Sequence, residues 1–252
     1  MRNGKKKASI GGLIYMDYYS GRKYVRNTIL ISLFLAVGVM LVYASFQVGN
    51  LRLLPEDVKE EAMKMAIGWG KYLPIYGFCS IPESVMELSV KMETAKWNRF
   101  RLTTPAGGFR FALAKVLYMM LLMAVAIGLS VTYLTIYGMI FPGQLNLGTF
   151  GVVFLFMAGV NLMGDMVLIY GTFFQSIEKA ALALVGTFLI LLVGFLLISP
   201  YILPETIDTQ FDVFGFLESH GTQLLPGSLA VLVLTYVVCF LAVGFMYQRR
   251  EK

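Results

Sequence analysis

The residues that could carry out chemistry are few, and their spacing fits no common catalytic motif. The chain has one histidine, His220, and two cysteines, Cys79 and Cys239. It contains no GxxxxGK phosphate loop ending in Ser or Thr, no HExxH zinc motif and no GxSxG nucleophile elbow. One histidine cannot build a histidine-rich metal site, and both cysteines lie in apolar stretches that suit packing. We therefore expect no enzyme activity and no metal or cofactor on this chain.

Two polar residues inside an apolar stretch form the first candidate site. Asn161 and Asp165 are four residues apart, so a helix places them on one face. A carboxylate near the middle of a bilayer costs at least ~2.5 kcal/mol, and it should face other helices or a wet cavity. One interpretation is a polar point on a substrate path or a gating contact. The other is a structural hydrogen bond to a neighbouring helix, with candidate partners Ser130, Thr132 and Thr135.

A second polar stripe consists of Glu83, Glu87 and Lys91, which follow each other at intervals of four residues. Glu87 and Lys91 have the favourable order for an ion pair along a helix. One interpretation makes Glu83 and Glu87 a polar wall of a translocation route. The alternative is that this helix projects beyond the membrane, where charged side chains are solvated.

Membrane-spanning helices must position these residues. The chain is 58% hydrophobic and 14% charged, against about 25% charged residues in soluble domains. Apolar stretches long enough to cross a bilayer recur along the sequence. We predict an all-α membrane protein with six spans, at about 28–47, 66–88, 112–140, 149–174, 180–198 and 228–247. The second span is weak, because it contains two prolines and three charged residues.

The distribution of basic residues supports the weak span and sets the orientation. With six spans and both termini inside, inner segments hold 17 of the 21 Lys and Arg residues and outer segments hold four. Cytoplasmic segments of membrane proteins carry such an excess. Without the weak span, either the basic segment 96–115 or the N-terminal basic cluster would lie outside. The charges therefore predict six helices with N-in and C-in topology.

Three segments are predicted to lie outside the hydrocarbon core. Residues 1–27 are cytoplasmic, and within them 10–26 has the composition of an interfacial helix, a disordered basic tail being the alternative. Residues 89–111 form an inner loop. Residues 199–227 form an outer segment whose phenylalanines favour a re-entrant or interfacial helix, or packing on a partner copy. His220 in this segment is expected to be a solvated side chain.

The inner loop carries a recognisable order of residues. A proline-bearing helix leads into Trp97, a short basic run, the sequence Leu102-Thr103-Thr104-Pro105, and a basic-aromatic start of the third helix. This order resembles the permease subunits of ABC-2 type exporters, and the six-span layout agrees with that family. The chain departs from the pattern after Pro105, where Ala106-Gly107-Gly108 delays the arginine. The positions that would couple to an ATPase are Trp97, Arg99, Arg101, Thr103, Thr104, Pro105, Phe109 and Arg110.

The resemblance implies a mechanism and partners. Two permease chains in a bacterial plasma membrane, as a homodimer or a sister pair, would form the pathway. Two separate ATPase subunits holding ATP and Mg would drive them through residues 103–109, which makes the absent phosphate loop understandable. The alternative for the loop arginines is electrostatic attraction to anionic lipid. The net charge of +6 does not imply that the chain binds nucleic acid.

The sequence constrains the cargo and the class of function less than it constrains the fold. The chain has 15 methionines, which suit an adaptable apolar surface and favour hydrophobic or amphipathic cargo such as a peptide, an antibiotic or a lipid. A non-transport scaffold or assembly factor is one competing class. An ion channel or a stand-alone proton-coupled carrier is another, and it would make Asp165 central.

Overall fold

A computed structural model describes residues 9–48, 55–82, 108–174, 177–202 and 213–250. Every regular element in these ranges is an α-helix, which confirms the predicted all-α class. The helices are α1 (Ile10–Val48), α2 (Glu56–Cys79), α3 (Gly108–Ile140), α4 (Leu147–Phe174), α5 (Ile177–Ile202) and α6 (Val213–Arg250). Each predicted span overlaps one of them.

The length and composition of four helices identify a multi-pass membrane protein. In the part of the chain that the structure describes, α1, α3, α4 and α6 contain stretches long and apolar enough to cross a bilayer. Their outer surfaces carry many exposed leucine, isoleucine, valine and phenylalanine side chains, which suits contact with lipid. The helices α2 and α5 coincide with the two other predicted spans, and their passage through the membrane stays a prediction.

The first helix differs from the prediction of a separate interfacial helix followed by a span. Residues 10–48 form one uninterrupted helix. Neither proline nor a turn signal separates Arg26 from Thr28, so nothing in the sequence breaks the backbone hydrogen-bond ladder there. At 1.5 Å per residue the helix is about 58 Å long, well beyond a hydrocarbon core of about 30 Å. Its charged N-terminal part therefore extends past the core as a continuation of the span.

The predicted outer segment 199–227 is largely helical in the described residues. The helix α5 continues to Ile202, and α6 begins at Val213 and passes through Pro226 without ending. Proline removes one backbone hydrogen bond from a helix interior. Contacts of the first turns of α6 with α4 and α2 compensate for that loss, and a sequence pattern does not show them.

Two boundaries near the second and third helices also differ from the prediction. The helix α2 begins directly after Pro55, ten residues before the predicted start, and ends at Cys79. The helix α3 begins at Gly108, so Phe109 and Arg110 belong to its first turn and not to the inner loop 89–111. No helix-breaking residue follows Gly108 in this stretch, which explains the early start.

The helices α4 and α6 run parallel and form the closest pair of the bundle. A Cβ atom built on Gly151 would lie 1.9 Å from the carbonyl oxygen of Gly221, and one on Gly148 would lie 1.9 Å from that of Glu218. Only glycine allows two helix backbones to come this near. The helix α3 packs antiparallel against α6, α2 packs on α1 and α3, and α5 packs mainly on α4.

The bundle has two distinguishable ends. At the termini end, the start of α3 meets the end of α6, where the Phe111 and Tyr247 rings lie 4.8 Å apart between centroids. The charged part of α1 reaches the same end, because Asp17 lies near Tyr118 of α3. At the turn end, the segment Phe141–Asn146 joins α3 to α4, with Gly143 at φ 82° in the left-handed region. Both described chain ends thus lie at one end of the bundle.

Candidate functional site

Two groups of polar side chains lie between the helices, and the first contains both predicted intramembrane residues of α4. The mid-bundle cluster consists of Asn161 and Asp165 on α4 with Thr235 and Cys239 on α6. Each helix contributes two residues one turn apart. Because the two helices pack in parallel, the two pairs lie at the same height along the bundle. The 3.6-residue helical period therefore creates the cluster once α4 and α6 are in contact.

Hydrogen bonds join the cluster across the two helices. The Asn161 Nδ2 atom donates to Asp165 Oδ2 over 3.1 Å and to Thr235 Oγ1 over 2.8 Å. Asn161 is 0% exposed and Asp165 is 2% exposed, and Cys239 lies beside the Asp165 carboxylate. The Thr235 hydroxyl in turn donates to the Leu232 carbonyl over 3.0 Å. Water outside the bundle therefore does not solvate the Asn161 amide or the Asp165 carboxylate.

Several oxygen atoms in this region lack a hydrogen-bond donor or acceptor. Among the described residues, Asn161 Oδ1 and Asp165 Oδ1 have no partner, and neither has the Tyr236 hydroxyl next to Thr235. The helix α3 also packs against this part of α4. A Cβ atom built on Gly164 would lie 3.4 Å from the Cε atom of Met119. Buried polar atoms in folded proteins are nearly always satisfied, so the two acceptors on α4 require an explanation.

The neighbouring-helix hydrogen bond predicted for Asn161 exists, but its predicted partners are wrong. Thr132 and Thr135 donate to carbonyls of their own helix, over 2.8 Å each, and are exposed. Ser130 is buried, and its hydroxyl has no partner among the described residues. The true partner, Thr235, lies on the last helix, because α4 packs most closely on α6. The small residues Gly148 and Gly151 were the available signal for that packing.

The second group, the turn-end cluster, ties α2 to α4 and α6. Lys71 Nζ donates to Glu218 Oε1 over 2.6 Å, and the Tyr72 hydroxyl donates to the same oxygen. Asn146 Nδ2 faces the other carboxylate oxygen, Oε2, at 3.4 Å. The side chains of Lys71 and Glu218 are 7% and 16% exposed. Both oxygens of the carboxylate therefore have donors, and its charge has a counter-ion.

Local structure fixes the members of the turn-end cluster. Asn146 caps α4, since its Oδ1 accepts the backbone N–H of Thr149 over 2.8 Å. Glu218 is held by the glycine contact between its own carbonyl and Gly148. Sequence reasoning placed Lys71 in a weak span and Glu218 in an outer loop, and it did not pair them. The two residues are 147 positions apart, and nothing local signals their contact.

The predicted coupling residues and the acidic stripe fall mostly outside the described residues. This holds for Trp97, Arg99, Arg101, Thr103, Thr104 and Pro105, and also for Glu83 and Glu87. Phe109 and Arg110 are described, in the first turn of α3 at the termini end. The Phe109 ring packs on α6, where a Cβ on Gly244 would lie 2.6 Å from it, and Arg110 is exposed.

Neither a metal site nor a relative assigns a function. Among the described residues, no three His, Cys, Asp or Glu side chains come together in a group that could hold a metal ion. No family model matches the chain, and the curated proteins and the solved structures give no match either. The likeness to ABC-2 permeases therefore rests on the sequence around Trp97 and Pro105 and on the six-helix layout.

Proposed function

We propose that the chain is the permease subunit of an ATP-driven exporter of the ABC-2 type in a bacterial plasma membrane. It would move hydrophobic or amphipathic cargo outward, energised by two copies of a separate ATPase subunit. The observation that carries the proposal is the close packing of the start of α3, where the inner loop ends, on the end of α6. That attachment gives the basic loop a mechanical connection to the membrane helices.

The attachment is built from glycines and aromatic rings. A Cβ on Gly108 would lie 2.7 Å from the Cβ of Tyr247, so the start of α3 touches α6 directly. The Phe109 ring lies 5.8 Å from the Phe240 ring and 5.4 Å from the Phe245 ring, both in edge-on arrangements. Such packed contacts transmit displacement with little slack. A push on residues 103–107 would therefore move α3 and α6 together.

The arrangement of the two ends supports the N-in and C-in orientation. The termini end carries Arg22, Lys23 and Arg249 as well as the exit of the basic loop. The Lys/Arg bias places such an end in the cytoplasm. Arg110 is exposed at this end. It would face an ATPase carboxylate, and the neighbouring basic residues would contact anionic lipid.

The helix surfaces support a second permease copy and lipid as further partners. Every side chain of α5 from Phe188 to Val193 is apolar and exposed, and so is Leu182. The helix α1 shows a similar face with Ile31, Phe34 and Leu41. These faces suit lipid, a partner copy or both.

The test of the proposal is co-purification from the native host in mild detergent, combined with an assay of ATP hydrolysis. We expect a stoichiometric ATPase that carries a phosphate loop. Reversing the charge of Arg99 and Arg101 together with Pro105→Ala should release that ATPase while the helical content of the permease stays unchanged. Lys59→Glu, a charge reversal at the turn end, is the matched control and should leave the complex intact.

Two results would count against the exporter. Wild-type yield of the ATPase with the triple variant would remove the coupling role of the loop. A clean eluate from well-folded protein, without hydrolysis, would favour a membrane scaffold or a stand-alone carrier. In the carrier, Asp165→Asn should abolish flux, whereas the exporter should still export.

A further inference from the structure

We propose that the mid-bundle cluster binds a small monovalent cation through the side-chain oxygens of Asn161 and Asp165 on α4, with Na⁺ as the probe. The inference concerns a ligand of the membrane helices themselves. It goes beyond export and holds whether or not an ATPase partner is found.

The first argument comes from the two unpartnered acceptors. Asn161 Nδ2 donates to Asp165 Oδ2 and to Thr235, and these bonds fix the orientation of the amide. Its carbonyl oxygen is therefore the atom left over, and it belongs to the same cluster as the free oxygen of Asp165. Both residues are at least nine-tenths buried. A cation between the two oxygens would satisfy both acceptors at once.

The second argument comes from the ligand chemistry. Carboxylate, amide and hydroxyl oxygens are hard donors, which suit alkali and alkaline-earth ions and not soft metals. The cluster contains one carboxylate, so a monovalent ion gives a neutral site. A divalent ion would leave a net positive charge in a region of low dielectric, where an uncompensated charge is costly. Cys239 places a sulfur atom beside the Asp165 carboxylate, and it does not change this preference.

The charged groups around the cluster limit its affinity. Lys115 of α3 is buried and lies one helical turn from Met119, toward the termini end. Its ammonium group repels a cation that approaches the cluster. Asp17 of α1 is also buried and reaches the same region beside Tyr118. The Lys115 ammonium opposes cation binding, whereas the Asp17 carboxylate favours it. We therefore expect a Kd in the millimolar range, at which cellular monovalent cations are abundant.

Binding would stabilise the contact between α4 and α6. Its ligands come from Asn161 and Asp165 on one helix, and Thr235 on the other holds the amide in place. The two cluster residues of α4 lie about 21–27 Å along the helix from its first residue, on the far side of the glycine contacts from the turn end. A bound cation would thus stabilise the packing of α4 and α6 in the part of the two helices that lies beyond the glycine contacts.

The experiment is thermal unfolding of the purified full-length chain in detergent at constant pH. The probe is NaCl, compared with choline chloride at equal ionic strength. We expect a saturable rise in Tm of about 3–6 °C when Na⁺ is tenfold above its Kd. Asp165→Asn should abolish the rise. Thr132→Val, which removes an exposed hydroxyl of α3, is the control and should keep it.

A second variant keeps the test decisive if Asp165→Asn does not fold. Thr235→Val leaves both ligand oxygens in place but removes the group that orients Asn161, and it should raise the half-saturating Na⁺ concentration about tenfold. Equal Tm in NaCl and choline chloride would overturn the proposal. A Na⁺-dependent rise in Tm that persists in Asp165→Asn would also overturn it, because Na⁺ would then bind elsewhere. A Tm that depends on pH and not on Na⁺ would overturn it as well, because the ligand of the cluster would then be a proton.

Discussion

The turn-end cluster and the mid-bundle cluster contain one carboxylate each and both join α4 to α6, but they differ in how completely their atoms are paired. Glu218 has a lysine, a tyrosine and an asparagine facing its two oxygens. Asp165 has one oxygen bonded to Asn161 and the other unpartnered among the described residues. A saturated cluster is suited to hold a structure together, whereas an unsaturated one has capacity for a ligand.

The largest expected effect tests the saturated side of this comparison. Glu218→Ala leaves the Lys71 ammonium buried without a carboxylate, and breaking such a pair costs about 3–5 kcal/mol of unfolding free energy. Denaturant unfolding in detergent measures the loss. The double variant Lys71→Met with Glu218→Leu is the control and should recover most of it. A loss below about 1 kcal/mol for the single variant would make the cluster incidental.

The next effect tests the glycine contact that both clusters share. Gly151→Ala places a methyl group where the Gly221 carbonyl stands, and a backbone atom cannot rotate away. We expect a destabilisation of about 1–3 kcal/mol or more, measured by thermal unfolding. Gly159→Ala on the same helix has nothing within 4 Å and should stabilise by up to about 1 kcal/mol. Equal effects of the two substitutions would contradict the close approach of α4 and α6.

A smaller effect compares a paired with an unpaired hydroxyl. The Tyr133 hydroxyl donates to the Gly70 carbonyl over 2.7 Å, so Tyr133→Phe should cost about 1 kcal/mol. The Tyr118 hydroxyl has no partner among the described residues, and Tyr118→Phe should be neutral or stabilising. Thermal unfolding of both variants in parallel measures the difference. A larger loss in Tyr118→Phe would show that the unpaired hydroxyls contribute to folding.

The smallest expected effect tests the unsaturated side. In sodium-free buffer, Asp165→Asn should change the unfolding free energy by less than about 1 kcal/mol, because the new amide keeps an oxygen that can accept the hydrogen bond from Asn161. Glu218→Gln in the same buffer should cost clearly more, since it removes the partner of a buried charge. If Asp165→Asn were the more damaging of the two, the mid-bundle cluster would be the structural one.

Much of the helix layout could be predicted from the sequence, since it depends on the sum of many residues. Even the weak second span overlaps α2, although the prediction depended on the charge distribution and not on hydropathy. The early start of α2 and the helical segment after Val213 could not be read from composition. The helical segment after Val213 packs on α4 where Gly148 meets Gly221, and this contact joins two helices that are far apart in the sequence.

The candidate sites show the same limit more sharply. The spacing of Asn161 and Asp165 correctly placed them on one face of a helix. Their partner Thr235 was not predicted, because the predicted partners were hydroxyls of α3 and Thr235 lies on α6. Lys71 and Glu218 were treated as separate charges. A pair formed across most of the chain leaves no signal in a single sequence, since neither residue is unusual in its own neighbourhood.

The parallel pairing of α4 with α6 has a consequence for biosynthesis. Thr235 follows Asn161 by 74 residues, and the whole of α5 is made between them. At about 5–20 residues per second, α4 waits roughly 4–15 s for its partner while the ribosome completes the chain. During that interval Asn161 and Asp165 must be sheltered by the insertion machinery, by α3 or by water. A ribosome that stalls before α6 leaves a polar helix stranded, a form that quality-control proteases of the membrane can recognise.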